Sequence, residues 1–211
     1  MGTSEPASSL YHREKTGEAT RIDVAMLDCQ VAILENGIAR YLATGQIPGR
    51  LGSRHPSIAP FQAFATADRH IVIAAGNDIL FARMAKAIGE LDLIDDDRFA
   101  DNDLRRHNVD ALSEAMEKTL KTQPADHWLT VLEDAGIPSG PINNVEQVLQ
   151  DPQVIARNMV IQANDPDIGP IKMPGNPIKF SAFPDPSERA AAPALDGDRD
   201  AILSETDLPK A

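Results

Sequence analysis

The stretch Gly49–Phe81, GRLGSRHPSIAPFQAFATADRHIVIAAGNDILF, sets the tightest limit on how this chain can fold, because it must begin as a loop and end as a strand and a helix. Gly49, Gly52, Pro56 and Pro60 interrupt regular structure in its first part, since glycine is conformationally free and proline fixes φ and lacks an N–H donor. Ser53, Arg54 and His55 are set into that loop. The run 71–75 is short, apolar and β-branched, which predicts a buried strand. A turn at Gly76-Asn77 follows, then a helix for which Asp78 is the expected cap. Polar loop, strand and helix start thus lie close together in sequence, an order that presents loop chemistry from a rigid base.

Composition bounds the rest. With 211 residues, 25% charged and 42% hydrophobic, the chain reads as a soluble globular protein with room for one large or two small domains. Aromatics are 4%, so cores must be mostly aliphatic. A net charge of −12 argues against nucleic acid and against an anionic membrane surface, both of which call for a basic face. No apolar run approaches the roughly 18 residues of a spanning helix, and the opening MGTSEPASS lacks the regions of a secretion signal, which predicts a cytoplasmic protein. Cys29 is the single cysteine, so no internal disulfide forms, and its place on an apolar helix reads as a small core residue.

Upstream of the central stretch, Pro6 and its small neighbours predict a disordered end, and residues 21–24 a short alternating strand. Asp28 is the expected cap of one helix carrying Val31, Leu34, Ile38 and Leu42 and stopping at Gly45. Downstream, Phe81, Met84, Ala85 and Ile88 share a helix face that ends at Gly89. Asp95-Asp96-Asp97 reads as a solvated loop rather than a metal site, because consecutive ligands rarely converge. Asn108 is the expected cap of a helix through Leu112, Met116 and Leu120, and Pro124 the first residue of one with Trp128, Leu129 and Leu132 that stops at Gly136. Three helices on a strand pair make a small α+β domain over residues 62–137. Residues 137–141 have linker composition, and Asn144 and Asp151-Pro152 start short helices. Strands are expected at 159–161 and 171–173, and prolines at 174, 177, 184, 186 and 193 call for an extended run with a surface to lie on. The layout is thus a strand and helix at 1–48, a loop and linker at 49–61, the small domain at 62–137, and a linker with an extended arm at 138–211. Neither flank is expected to close a core by itself.

Residues 10–17 (LYHREKTG), 21–28 (RIDVAMLD), 66–68 (TAD), 74–78 (AAGND), 135–143 (AGIPSGPIN) and 174–181 (PGNPIKFS) resemble, in order and spacing, the class III CoA-transferases. That family includes formyl-CoA:oxalate and carnitine CoA-transferases and, more distantly, α-methylacyl-CoA racemase, and the resemblance covers nearly the whole chain. It implies transfer of CoA between small carboxylic acids through an aspartyl-CoA thioester, with coenzyme A as acyl carrier and no metal. It also implies that the nucleophilic aspartate and most of the CoA cradle lie in an N-terminal half that this chain lacks, so no catalytic residue is assigned here. Asp23 and Asp28 keep ordinary strand and cap roles. The fold implied is a small α+β domain flanked by arms of an incomplete doubly wound α/β large domain. The partner implied is a second copy, in an interlocked homodimer, or an N-terminal-half polypeptide.

Two site elements carry over by position. The place of the family's glycine-rich flap is held by Gly52-Ser53-Arg54-His55-Pro56, a departure that makes Arg54, His55 and Pro56 candidate substrate-binding residues. Arg54 offers a bidentate fork, which suits a dicarboxylic acyl group better than formyl; the same residues equally read as plain surface loop. Asn77, Ile79, Leu80 and Phe81 stand where the family contacts the nucleotide end of CoA. A helix N-terminus suits an anion or an adenine edge there, and Phe81 either stacks or belongs to the core. The closing residues 194–200 (ALDGDRD) lack the family's Leu-Gly-Glu-His-Thr. Alternatives to a transferase are a stand-alone CoA-binding or oligomerisation module, an inactive remnant, and the racemase or hydratase branch.

Overall fold

The computed structural model describes residues 4–206, so the outermost residues of the first and last expected segments lie outside it. Two compact units divide the chain, Met1–Ser57 and Ile58–Ala211. The described residues of the first form three helices, α1 (Ser4–Thr16), α2 (Met26–Ile33) and α3 (Glu35–Thr44). The expected disordered end is thus helical: Pro6 falls in the first turn of α1, where no intrahelical N–H donor is required. The expected strand at 21–24 does not form, and residues 18–25 have no regular structure. A ladder needs a neighbour for its N–H and C=O groups, and the described residues of this unit contain no strand. Asp28 is not a cap; it lies in the first turn of α2, where its charge favours the helix dipole, and Ala25 occupies the cap position. The single helix expected from Val31 to Leu42 is two, broken at Leu34 (φ −77°, ψ 10°) just before the weak helix formers Asn36 and Gly37. None of the described side chains up to residue 57 is buried.

The second unit opens with an antiparallel hairpin, β1 (Phe61–Ala65) and β2 (His70–Ala74), in the register Phe61↔Ala74 to Ala65↔His70. Alternation along β2 puts Ile71 and Ile73 on the inner face. Helix α4 (Asp78–Ile88) lays Phe81, Met84, Ala85 and Ile88 against that face. Its cap is Asn77, one residue before the expected Asp78: the Asn77 Oδ1 accepts the Leu80 N–H at 2.8 Å. The acidic run is a junction rather than a loop, since Asp95 ends α5 (Asp92–Asp95) and Asp96 caps a 3-10 turn, Asp97–Phe99, through the Arg98 N–H. Helix α6 (Asn102–His107), capped by Asp101, is an addition to the expected elements.

Helix α7 (Val109–Leu120) contributes Leu112, Met116 and Leu120 to the core. Asn108 stands at its cap position, but its amide donates to the Arg98 and Leu104 carbonyls instead. Helix α8 (Ala125–Asp134) adds Trp128 and Leu132, with the Trp128 Nε1–H donating to the Leu120 carbonyl at 2.7 Å. Pro124 is at the cap rather than the first helical position, and Asp68 supplies the missing acceptor for the Ala125 N–H at 2.8 Å. The segment expected as a linker forms β3 (Ser139–Pro141), which pairs antiparallel with β2. A three-stranded sheet, β1-β2-β3, therefore carries α4, α7 and α8 around one apolar core.

Beyond it come α9 (Val145–Gln150), with a capping box from Asn144 and Gln147, and α10 (Pro152–Ala156), capped by Asp151. Strands β4 (Val160–Asp165) and β5 (Gly169–Pro174) pair antiparallel, and the proline-rich run returns as β6 (Glu188–Ala190), parallel to β4. Lys179 and Asp185 form a 2.5 Å ion pair inside that run. Helix α11 (Arg199–Thr206) is the last described element. The described residues are mixed α/β with two small three-stranded sheets.

Candidate functional site

Arg54, His55 and Pro56 sit on a turned loop of the first unit. The turn needs Gly52, whose φ of 62° lies in the left-handed region, and the Arg54 N–H closes it onto the Leu51 carbonyl at 3.1 Å. His55 Nδ1 accepts the Ser57 N–H at 3.2 Å, so the neutral tautomer that suits this bond carries its proton on Nε2. All three side chains are half-buried.

The other predicted group belongs to the second unit, at the junction of β2 and α4, and the structure sorts its members. Asn77 is exposed and engaged as the cap of α4. Ile79 projects from the first turn with 72% of its surface in solvent. Leu80 packs against the core, and Phe81 is a core residue, 3% exposed, with the Arg105 guanidinium 4.5 Å over its ring. Phe81 thus packs within the core cluster.

Arg105 organises this junction. It is fully buried, and its Nε donates to the Ala59 carbonyl at 2.9 Å, Nη1 to the Phe99 carbonyl at 3.0 Å, and Nη2 to the Gly76 carbonyl at 3.2 Å and Asp78 Oδ1 at 2.7 Å. Burial of a guanidinium is costly unless its donors are satisfied, and these acceptors take four of its five N–H groups. Three residues along α6, Asn102 Oδ1 accepts the Ala59 N–H at 3.0 Å. Sequence reading overlooked both residues. The run Asp101-Asn102 is a legible cap signal, but α6 is too short for periodicity to tell Arg105 from its exposed neighbour Arg106.

Next to this network lies a pocket of about 420 Å³ lined by Gly76, Asn77, Asp78, Asp101, Asn102 and Asp103. Asp78, Asp101 and Asp103 bring carboxylates to its lining, and Asp78 is paired with Arg105 at 2.7 Å. On the hairpin, the Ala125 N–H, with help from Thr66, holds the Asp68 carboxyl below the usual carboxylate range. Among the described residues no group of three or more His, Cys, Asp or Glu is placed to hold a metal ion, and no helix is long and apolar enough to cross a membrane.

The sequence profile of CoA-transferase family III matches residues 7–199. The acetyl-CoA:oxalate CoA-transferase of Acetobacter aceti is 45% identical over 205 residues, which span 97% of this chain and 51% of that protein. The succinyl-CoA:glutarate CoA-transferase of Homo sapiens is 36% identical over 176 residues, 83% of this chain and 40% of that one. Among solved structures, a CAIB/BAIF family protein from Brucella suis superposes with a TM-score of 0.78 at 37% identity, over 97% of this chain and 52% of its own. The chain thus spans about half the length of the relatives it matches.

Proposed function

The chain belongs to CoA-transferase family III, and from that premise we propose that it forms the C-terminal portion of an enzyme that moves CoA between small carboxylic acids. The family match over residues 7–199 carries this reading. In it, the aspartate that forms the enzyme-CoA thioester lies outside this chain, and these residues bind and enclose the substrates. Oxalate and glutarate, which appear in the names of two relatives, are both dicarboxylates, and the chain's own loop offers an arginine. Arg54 takes the carboxylate that is not undergoing transfer, through its planar fork, beside His55 and Pro56. Asn77, Asp78 and Ile79 form the surface for the nucleotide end of CoA. The nearby carboxylates suit its adenine amino group and ribose hydroxyls rather than its phosphates.

The partner follows from burial. Met26 and Leu42 are 86% and 76% exposed on helices of a unit in which none of the described residues is buried, so these helices are surfaces that another polypeptide covers, a second copy or one that supplies the other half of the relatives' length. The test is CoA transfer by this chain together with such a polypeptide, using acetyl-CoA or succinyl-CoA as donor. Transfer to a dicarboxylate supports the proposal, and no transfer by the pair removes it. In that assay Arg54→Ala raises KM for the dicarboxylate about 10–100-fold, the loss of a charge-assisted hydrogen bond of roughly 1.5–3 kcal/mol, and leaves KM for acetate within about twofold. Equal loss for both acids refutes the role given to Arg54.

The closed core of the second unit favours a second reading, a CoA-binding module that works alone. Calorimetry of the lone chain with CoA decides it: saturable heat supports the module, and none excludes it.

A further inference from the structure

Ala59 is the point where the candidate substrate loop joins the hairpin, and both of its backbone groups are held by α6. Its N–H donates to Asn102 Oδ1 at 3.0 Å and its carbonyl accepts from Arg105 Nε at 2.9 Å. Asn102 and Arg105 are three residues apart, hence on one face of the helix. The hold continues on both sides: the Ala75 N–H donates to the Pro60 carbonyl at 2.9 Å, and the Ile58 side chain fills the space that a side chain at Gly76 would occupy. The same guanidinium reaches the Gly76 carbonyl and Asp78, so one side chain binds the root of the loop and the start of α4 together. A helix of six residues has little stability of its own, and a buried arginine is a poor source of net stability compared with an apolar side chain. What a rigid fork of donors supplies is fixed geometry among backbone carbonyls that no ladder satisfies.

We propose that α6 is a clamp, with Asn102 and Arg105 as positioning residues that fix segment 58–60, from which the candidate substrate loop extends along the chain, against the β2–α4 junction of the same unit. The role in catalysis rests on the reading of that loop as a substrate loop; the clamp itself does not. A loop whose root is fixed has less freedom to lose when it engages substrate, and misplacement costs turnover more than ground-state affinity.

Replacing Arg105 takes the guanidinium donor from two buried carbonyls and a part-buried one and endangers the fold, so the partly exposed Asn102 carries the test. Asn102→Ala removes the acceptor for the Ala59 N–H, and Asn102→Asp keeps an acceptor oxygen at a helix start where a negative charge is tolerated. Amide exchange in the full chain is read at Ala59, which reports the clamp, and at Arg54, whose N–H closes the loop turn. The clamp predicts that Asn102→Ala speeds exchange at both amides by about tenfold or more while core amides such as Ile73 keep their rates, and that Asn102→Asp restores both. Faster exchange at Ala59 with Arg54 unchanged, failure of Asp to restore, or a rise shared by the core overturns it. In the assembled transferase, Asn102→Ala lowers kcat about tenfold, again restored by Asp. Faster exchange with turnover unchanged keeps the clamp and removes the substrate-loop reading; unchanged exchange removes the clamp whatever the turnover.

Discussion

A Cβ on Gly76 would lie 1.9 Å from the Ile58 Cγ2, and Ile58, being β-branched, has few rotamers into which to withdraw. Gly76→Ala is therefore expected to destabilise the second unit by about 1–3 kcal/mol, read from urea midpoints. Ile58→Ala in the same chain opens the space, so the double variant is expected to lose less than the sum of the two single losses. Strict additivity contradicts the contact. In sequence this glycine reads as a turn residue, and its actual constraint, a neighbour 18 positions upstream, shows only in space. Phe81 has the same lesson from the other side: helical spacing places it correctly on the face with Met84, Ala85 and Ile88, while the cation covering it comes from an element the sequence did not disclose.

Helix α8 shows why element ends are harder to read than element faces. Its buried face, Trp128 and Leu132, follows from periodicity, but its cap acceptor is Asp68, 57 residues away in the β1–β2 turn. The Ala125 N–H lowers the Asp68 pKa in the folded chain, so Asp68 stabilises the fold fully above the unfolded carboxylate pKa, and that stabilisation is lost as pH falls through the lower folded value. Stability of the wild-type chain is therefore expected to decline on acidification through and below the usual carboxylate range. Asp68→Asn is expected to lower stability at neutral pH and to flatten that acid decline; an unchanged acid limb in denaturant titrations excludes the cap as a source of pH dependence. Strand β3 was illegible for a related reason. Its composition, Ser-Gly-Pro directly after Pro138, reads as a linker, yet an edge strand tolerates a proline where the ladder needs no donor, and β2 supplies the partner.

At the scale of the molecule, the two units differ in what they bury. The core around Phe64, Ile73, Met84 and Leu132 draws on the second unit alone, and the chain's one tryptophan, Trp128, lies in it. Tryptophan fluorescence therefore reports the unfolding of that unit. The double variant Leu27→Glu/Leu42→Glu is expected to leave the Trp128 unfolding midpoint within about 0.5 kcal/mol of wild type while abolishing association with the partner polypeptide in sedimentation. A large midpoint shift, or retained association, counts against these helices as the covered surface.

What the sequence determined by itself was what local chemistry determines: the aliphatic face of α4, the helix stops at Gly45, Gly89 and Gly136, the caps of α9 and α10, the β4–β5 hairpin, and the family. Periodicity, capping and positive φ are properties of a few consecutive residues. The tertiary structure alone decided that residues 21–24 form no strand, that β3 joins the sheet, that Phe81 is covered, and that Asn102 and Arg105 grip Ala59. Each of these depends on which distant backbone group or side chain arrives to satisfy a donor, an acceptor or an apolar face, and the strength of such a contact depends on its distance in space rather than along the chain.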